Sequence, residues 1–235
     1  MRTIVPHTVE EAYEVADAAQ AGEPAQLLDE LGDLLFQVYF LAILLEENGF
    51  GDLETVARNV HAKLVRRHPH VFGGREASTA GEVRASWEEI KTEQEGREGL
   101  FHDVPEALPA LLHARKAQRR AVAVGFDYPD LAGARADLAD ELLELDAELA
   151  RTGEPQPEAE PDPHVVAEAG DVLFAAVNVL RRSNVDPELA LRAATRRFVA
   201  RVESAERLAA HEGREFAKLP LDEQDRYFDL AKETE

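Results

Sequence analysis

The sequence predicts an all-α protein built from two tandem copies of one helical bundle domain with antiparallel helices. Three observations support this prediction. Residues that favour helices, namely Leu, Ala, Glu and Arg, dominate the chain. Apolar residues recur with the 3.6-residue period of a helix, whereas the alternation typical of strands is rare. Finally, the segment Glu30–Phe36 returns as Glu168–Phe174 with five of seven residues identical.

The helical period is nearly continuous, and glycine and proline mark the ends of the helices. We expect helices at 8–20, 24–48, 53–67, 80–95, 107–122, 130–151, 163–183, 186–212 and 221–234. Gly49, Gly51 and Gly125 mark breaks, because glycine readily takes the backbone conformations that end a helix. Asp186 is the expected N-cap before Pro187. The acidic, proline-rich segment 154–163 is expected to be an exposed linker.

The second expected helix carries two carboxylates inside an apolar run. Its apolar residues between Leu27 and Leu45 cover more than one side, so we expect this helix at a bundle centre or at a subunit interface. Glu30 and Asp33 lie three residues apart and therefore on one face. Burying both without a cation would cost several kcal/mol. We therefore expect a positive group to meet them.

Four landmarks of the first half return in the same order in the second half. The corresponding segments are Glu10–Glu14 and Asp140–Glu144, Glu30–Phe36 and Glu168–Phe174, Lys63–Arg67 and Arg197–Arg201, and Trp87–Lys91 and Phe228–Lys232. A single match between Glu- and Leu-rich helices would carry little weight, but four in one order indicate a duplication. We expect a first domain at 1–105 and a second at 106–235.

Each copy offers four carboxylates, and pairs spaced three residues apart on two antiparallel helices converge. Oxygen ligands without His or Cys favour Mg²⁺ or Mn²⁺ over zinc. The candidate metal ligands are Glu11, Glu14, Glu30 and Asp33 in the first copy and Glu141, Glu144, Glu168 and Asp171 in the second.

The other repeated residues are typical of a ligand with phosphates and a ring. These candidate substrate-binding residues are Lys63, Arg67, Trp87 and Lys91, then Arg197, Arg201, Phe228 and Lys232. Together with the carboxylates they describe a site for a metal-bound nucleotide. Alternatives stay open: the glutamates could form solvated faces, the basic residues could pair with them, and the aromatic residues could be core residues.

Composition excludes several other functions. A net charge of −21 argues against binding to nucleic acid or to anionic lipid. The absence of cysteine excludes disulfides and a Cys nucleophile, and suits a reducing cytosol. No apolar run approaches the roughly 18 residues of a membrane span, so we expect a cytoplasmic protein. The sequence contains none of the P-loop, dinucleotide-binding, nucleophile-elbow or HExxH motifs, and no Glu-x-x-His spacing typical of di-iron bundles.

The order Glu10-Glu11-x-x-Glu14 followed by Glu30-x-x-Asp33 resembles the E-E-x-x-E…E-x-x-D signature of the MazG family of nucleoside triphosphate pyrophosphohydrolases. The resemblance also includes Arg66–Gly73, Trp87–Lys91, Val124–Asp127 and Glu168–Asn178, and it covers nearly the whole chain. The sequence is similar to the two-domain form of that family.

The resemblance implies a helical bundle, commonly a homodimer, that uses Mg²⁺ to cleave nucleoside triphosphates to a monophosphate and pyrophosphate. A house-cleaning role in the nucleotide pool follows from it. It also implies that the acidic quartets hold the ion and that the basic and aromatic residues contact the substrate. The second copy, with Glu141, Glu144, Glu168 and Asp171 as catalytic residues, is implied to be the main active unit. A nucleotide-binding regulatory protein that does not hydrolyse its ligand is the alternative.

The sequence departs from the family pattern in several places. Family members usually carry a Cys-Pro-Trp-Asp segment before the first acidic pair, and its absence here implies a truncated start. Asp140 replaces the leading Glu of the second copy, and Phe228 stands where the resemblance implies Trp. A proline-rich insertion separates the acidic pairs of the second copy.

Overall fold

A computed structural model describes residues 4–72, 99–101, 104–154 and 160–233. Every regular element in these ranges is helical, which confirms the predicted all-α fold. The chain divides into two compact units, Met1–Gly99 and Leu100–Glu235. The domain limits that follow from the sequence repeat, 1–105 and 106–235, stay a prediction.

The first unit is built around a helical hairpin. Its helices are α1 (Val5–Ala21), α2 (Pro24–Glu47), α3 (Leu53–Arg67) and the short α4 (Pro69–Phe72). Helix α1 packs along α2, and α3 packs against α2. The turn between α1 and α2 needs glycine, because Gly22 has a φ of 72°, in the left-handed region that other residues rarely adopt.

The second unit contains two helical hairpins and one supporting helix. Its helices are α5 (Ala110–Ala123), α6 (Leu131–Thr152), α7 (Pro163–Arg182), α8 (Pro187–His211) and α9 (Leu221–Glu233), with a 3₁₀ turn at Phe216–Lys218. Helix α6 packs against α7, and α8 packs against α9, while α5 contacts both α7 and α8. The α8–α9 hairpin encloses a small core of Ala205, Ala209, Tyr227 and Ala231.

Aspartates cap the three longest helices of the second unit. Asp130 accepts a hydrogen bond from the backbone N–H of Gly133 at 2.8 Å, and Asp162 accepts one from that of His164 at 2.8 Å. Asp186 accepts two, which confirms it as the N-cap predicted from the sequence. These caps satisfy amides that have no partner within the helix.

The observed helix ends follow prolines more closely than the sequence prediction did. Helix α1 begins at Val5 with Pro6 in its first turn, and α5 begins at Ala110, directly after Pro109. A proline disfavours the helical conformation for the residue before it, so α5 cannot begin at 107. Helix α4 and the 3₁₀ turn were not predicted. The predicted helix at 80–95 and residues 155–159 of the predicted linker lie outside the described residues.

The predicted burial of α2 on more than one side is wrong for the single chain. Only Gln37 and Ala42 are buried on this helix, whereas Leu28 is 74% exposed and Phe36 is 62% exposed. Within the described residues, α1 and α3 cover one side of α2. The alternative that the sequence left open, a subunit interface, stays a prediction.

One described helix, α7, is long and apolar enough to cross a membrane by length and composition. This finding corrects the expectation that no segment approaches a membrane span. The same helix carries Glu168 and Asp171, and it packs along α6. A single helix of this kind is weak evidence for a membrane span, because core helices pass the same test.

Candidate functional site

The α6–α7 hairpin brings three acidic side chains to one point. Glu141 of α6 faces Glu168 and Asp171 of α7, and one carboxylate oxygen from each lies within 4.8 Å of the other two. Glu168 and Asp171 share a face of α7 because they are three residues apart. We call these three residues the second acid triad.

The α1–α2 hairpin of the first unit holds a related cluster, with two carboxylates on its first helix and one on its second. Glu11 and Glu14 of α1 meet Glu30 of α2, again with one oxygen from each within 4.8 Å of the others. We call them the first acid triad. The two triads arise from the same repeated motifs, and each is held between two packed helices.

Both triads crowd negative charge. Partial burial and then the charges of Asp171 and Glu144 raise the pKa of Glu141 above its ordinary value. Partial desolvation, together with the charge of Glu11 and a hydrogen bond to it, likewise raises the pKa of the exposed Glu14. Neighbouring carboxyl groups oppose each other's ionisation, and a bound cation favours their charged forms.

No salt bridge within the described ranges involves any of the six triad carboxylates. The sequence predicted that a positive group meets Glu30 and Asp33. Glu30 instead accepts a hydrogen bond from the amide of Gln26 at 3.5 Å. The described part of the protein therefore supplies no salt-bridge partner to these carboxylates.

The donor set fits a hard divalent ion. Two ligands on opposite sides of a Mg²⁺ ion, each at about 2.1 Å, are about 4.2 Å apart. Oxygens that lie within 4.8 Å of one another reach that separation by small side-chain rotations. An all-oxygen set is typical of Mg²⁺ or Mn²⁺ rather than of zinc.

The two remaining candidate ligands lie beside the triads and not within them. The charge of Asp33 contributes to the raised pKa of Glu14, and that of Glu144 contributes to the raised pKa of Glu141. Both side chains are exposed. They are therefore near enough to act on the sites electrostatically, and their role as direct ligands stays a prediction.

The aromatic–lysine pair of the second unit forms a cation–π contact. The Nζ atom of Lys232 lies 4.8 Å from the centre of the Phe228 ring. Sequence reasoning missed Phe198 of α8, whose ring centre lies 5.8 Å from that of Phe228. Phe198 lies between Arg197 and Arg201 in the repeated basic motif, and this position was the available signal.

Among the described residues, the substrate-binding candidates of the second unit lie on helices other than those of its acid triad. The triad lies on α6 and α7, whereas Phe228 and Lys232 lie on α9. In the first unit, Lys63 is exposed on α3 and Arg67 is only 8% exposed. The predicted counterparts Trp87 and Lys91 lie outside the described residues.

The loop between α5 and α6 adds contacts that the sequence did not predict. The Asp127 carboxylate accepts hydrogen bonds from Arg181 and Arg182 of α7, each at 2.6 Å. The Tyr128 hydroxyl donates to Oδ1 of Asp137 at 2.6 Å. This bond raises the pKa of Tyr128 to about 12. Asp127 belongs to the Val124–Asp127 motif that the resemblance singled out.

Comparison with known proteins decides the family. The family model of the MazG nucleotide pyrophosphohydrolase domain matches residues 1–72. A protein of Escherichia coli (strain K12) named nucleoside triphosphate pyrophosphohydrolase is 38% identical, over 99% of this chain and 88% of its own length. The chain belongs to the MazG family.

Other relatives of this MazG protein agree. A Thermotoga maritima protein named nucleoside triphosphate pyrophosphohydrolase/pyrophosphatase MazG is 37% identical, over 98% of this chain and 85% of its own length. A Mycobacterium tuberculosis protein named nucleoside triphosphate pyrophosphohydrolase is 36% identical over 51% of this chain and 37% of its own length. The predicted family is confirmed, and with it the predicted class of hydrolase acting on phosphoanhydrides.

Proposed function

We propose that this MazG protein is a divalent-metal-dependent pyrophosphohydrolase that cleaves nucleoside and deoxynucleoside triphosphates between the α- and β-phosphates. The products are a monophosphate and pyrophosphate. The observation that carries the proposal is the second acid triad, three carboxylates within 4.8 Å of one another. The names of the relatives support nucleoside triphosphates as the substrate class.

Glu141, Glu168 and Asp171 would hold the ion, with Glu144 beside them. A bound Mg²⁺ or Mn²⁺ supplies positive charge to phosphate oxygens and lowers the pKa of bound water. The packed α6–α7 pair fixes the three carboxylates before the ligand arrives, so little reorganisation is needed on binding.

The basic and aromatic residues of α8 and α9 would bind the rest of the substrate. Arg197, Arg201 and Lys232 would neutralise charge on the leaving pyrophosphate. The Phe228 ring, already paired with Phe198 at 5.8 Å, would pack against the base. These groups lie on helices other than those of the triad, so the substrate would bridge the two helix pairs.

We propose that the second domain, 106–235, is the main catalytic unit. It holds an acid triad and an aromatic–lysine pair that are both described. The first domain, 1–105, holds the first acid triad, to which we assign a secondary role in binding a metal ion.

The test is a panel of ribo- and deoxynucleoside triphosphates with Mg²⁺ or Mn²⁺, in an assay that separates pyrophosphate from phosphate. We expect pyrophosphate as product and a loss of activity of at least 100-fold in Glu168→Gln and Asp171→Asn. The matched first-unit variant Glu30→Gln should keep most of the activity. Near-normal turnover in both second-unit variants would contradict the site, and nucleotide binding without any product would favour the non-hydrolysing alternative.

We also propose a homodimer in which a second copy covers the exposed apolar face of α2. The stripe is spaced at three or four residues, as expected for one helix face, and its members are between 47% and 74% exposed: Leu28, Leu31, Leu35, Tyr39 and Ile43. An uncovered apolar stripe of this length is typical of an interface. Because its proposed substrates are cytoplasmic metabolites, we propose a cytoplasmic location as well.

Light scattering after size-exclusion chromatography tests the dimer. The wild-type protein should have twice the chain mass, and Leu35→Glu should shift it to the monomer. Val60→Glu is a matched control, because Val60 is 48% exposed but lies on α3. A monomeric wild-type protein, or a Leu35→Glu variant with unchanged mass, would exclude this interface.

A further inference from the structure

The loop that precedes α6 is tied to the far end of α7. Asp127 accepts hydrogen bonds from both Arg181 and Arg182, and the three side chains are only 11–20% exposed. Arg182 also donates to the backbone carbonyl of Tyr128 at 2.8 Å. Since α6 and α7 carry the second acid triad, this loop links the two helices that build the site.

Tyr128 is held at both ends of its side chain. Its ring packs closely on Gly133 in the first turn of α6. A Cβ atom added to this glycine would lie only 3.3 Å from Cδ1 of Tyr128. Its hydroxyl donates to Oδ1 of Asp137 at 2.6 Å. The residue thus fixes the position of one carboxylate on α6.

Asp137 lies one helical turn before Glu141, on the same face of α6. Its charge is among those that raise the pKa of Glu141, so the two carboxylates interact. One oxygen of Asp137 is bonded to Tyr128, and its other oxygen, Oδ2, accepts no hydrogen bond from any residue that the structure describes.

Asp137 adds a negative charge to a region where the triad and Glu144 already repel one another. The salt bridges of Asp127 with the two arginines already hold the loop against α7. The Tyr128–Asp137 hydrogen bond is therefore not needed to hold the loop in place. A divalent ion at the triad would give Asp137 a role, because Mg²⁺ usually keeps several water ligands. Such water molecules need nearby acceptors, and outer carboxylates of this kind tune a metal site.

We propose that Tyr128 is a positioning residue of the second acid triad, which holds Asp137 where its carboxylate accepts hydrogen bonds from the water ligands of the bound ion. This inference rests on the proposed function, because it requires an ion at the triad. It assigns no direct metal bond to either residue.

The experiment measures Mn²⁺ affinity by calorimetry in the full chain carrying Glu30→Gln, which silences the first triad. Asp137→Asn should weaken Mn²⁺ binding about tenfold, as outer-shell changes commonly do. Tyr128→Phe should weaken it about threefold by the same mechanism. The double variant should match Asp137→Asn, because Tyr128 acts only through Asp137.

Two controls match the changes chemically. Asp146→Asn removes the same charge from an exposed position on another face of α6. Tyr227→Phe removes a hydroxyl that donates to the Glu212 carboxylate, on a helix that carries no triad residue. Both should bind Mn²⁺ as the reference protein does. Thermal unfolding of each variant separates loss of ion affinity from loss of the fold, and Tyr128→Phe tests the pair if Asp137→Asn does not fold.

The outcomes separate this inference from the proposed function. Mn²⁺ affinities of Asp137→Asn and Tyr128→Phe equal to those of the controls would overturn the inference and leave the metal site standing. Additive losses in the double variant would overturn the positioning role of Tyr128. A reference protein that binds no Mn²⁺ would overturn both the inference and the proposed function.

Discussion

Replacing Asp127 by Asn tests whether the loop before α6 is held by charge. The Asp127 carboxylate, 20% exposed, meets Arg181 and Arg182, which are 11% and 17% exposed, at 2.6 Å each. A hydrogen bond between charged groups contributes about 1.5–3 kcal/mol, and an asparagine keeps weaker versions of both. Partial exposure reduces the effect further. We therefore expect the free energy of unfolding to fall by about 2–3 kcal/mol.

The pH dependence gives the sign of the effect. Partial burial raises the pKa of Asp127, but the hydrogen bonds and charges of Arg181 and Arg182 outweigh it and lower the pKa overall. A carboxyl group with a lowered pKa stabilises the fold above its unfolded pKa of about 3.9. That contribution is lost as the pH falls through the lower, folded pKa. The difference between wild type and Asp127→Asn should be constant from neutral pH down to about 5 and should shrink below about 4.

Urea unfolding followed by circular dichroism across this pH range measures both quantities. Glu54→Gln is the control, since Glu54 and its partner Arg58 are 75% and 70% exposed, and such pairs contribute less than about 1 kcal/mol. A loss no larger than that of Glu54→Gln would refute the reasoning. A difference that grows as the pH falls would refute the assignment of sign.

Four further predictions concern the stability of the protein. Asp186→Ala removes the cap of α8 and the ion pair with Arg115, and should lower the free energy of unfolding by about 1–2 kcal/mol. Gly170→Ala, with no neighbour within 4 Å, should stabilise α7 by about 0.5–1 kcal/mol. Gly133→Ala should gain less, because its Cβ atom would lie 3.3 Å from the ring of Tyr128, which must shift to make room. Thermal unfolding measures all of these. Removal of divalent ions by EDTA should lower the melting temperature. Addition of Mg²⁺ at 100 times its dissociation constant should then raise the free energy of unfolding by about 2.7 kcal/mol. An unchanged melting temperature would contradict the metal site.

The helices were predictable because their signals are local. Asp186 followed by Pro187 predicted the start of α8, and the structure confirms it. Glu168 and Asp171 share a face because of their spacing alone, and the pairing of α6 with α7 then brings them to Glu141. Local patterns were therefore enough to predict the hairpins and most of the acidic candidates.

Contacts between distant segments were not predictable in the same way. Arg181 meets Asp127 across 54 positions of the chain, and nothing in either local sequence specifies that pair. The apolar residues of α2 show that the helix needs cover, but they do not show which surface provides it. Spacing gives the face on which Asp33 and Glu144 lie, but the side-chain conformation decides whether a carboxylate joins the triad.

The second unit carries its triad carboxylates on α6 and α7 and its basic and aromatic candidates on α8 and α9. Electrostatics gives a reason for this separation. An anionic substrate is repelled by an acid triad until a cation neutralises it. A basic residue inside the triad would form salt bridges with its carboxylates and compete with a metal ion. Within the described ranges, no basic residue forms a salt bridge with the triad. The cation–π pair of Phe228 and Lys232 instead lies on α9, away from the triad helices. Under the proposed function, this placement would let the carboxylates hold an ion while Lys232 exchanges its pairing with Asp229 at 2.8 Å for phosphate. A chain of net charge −21 would bind an anion in this way.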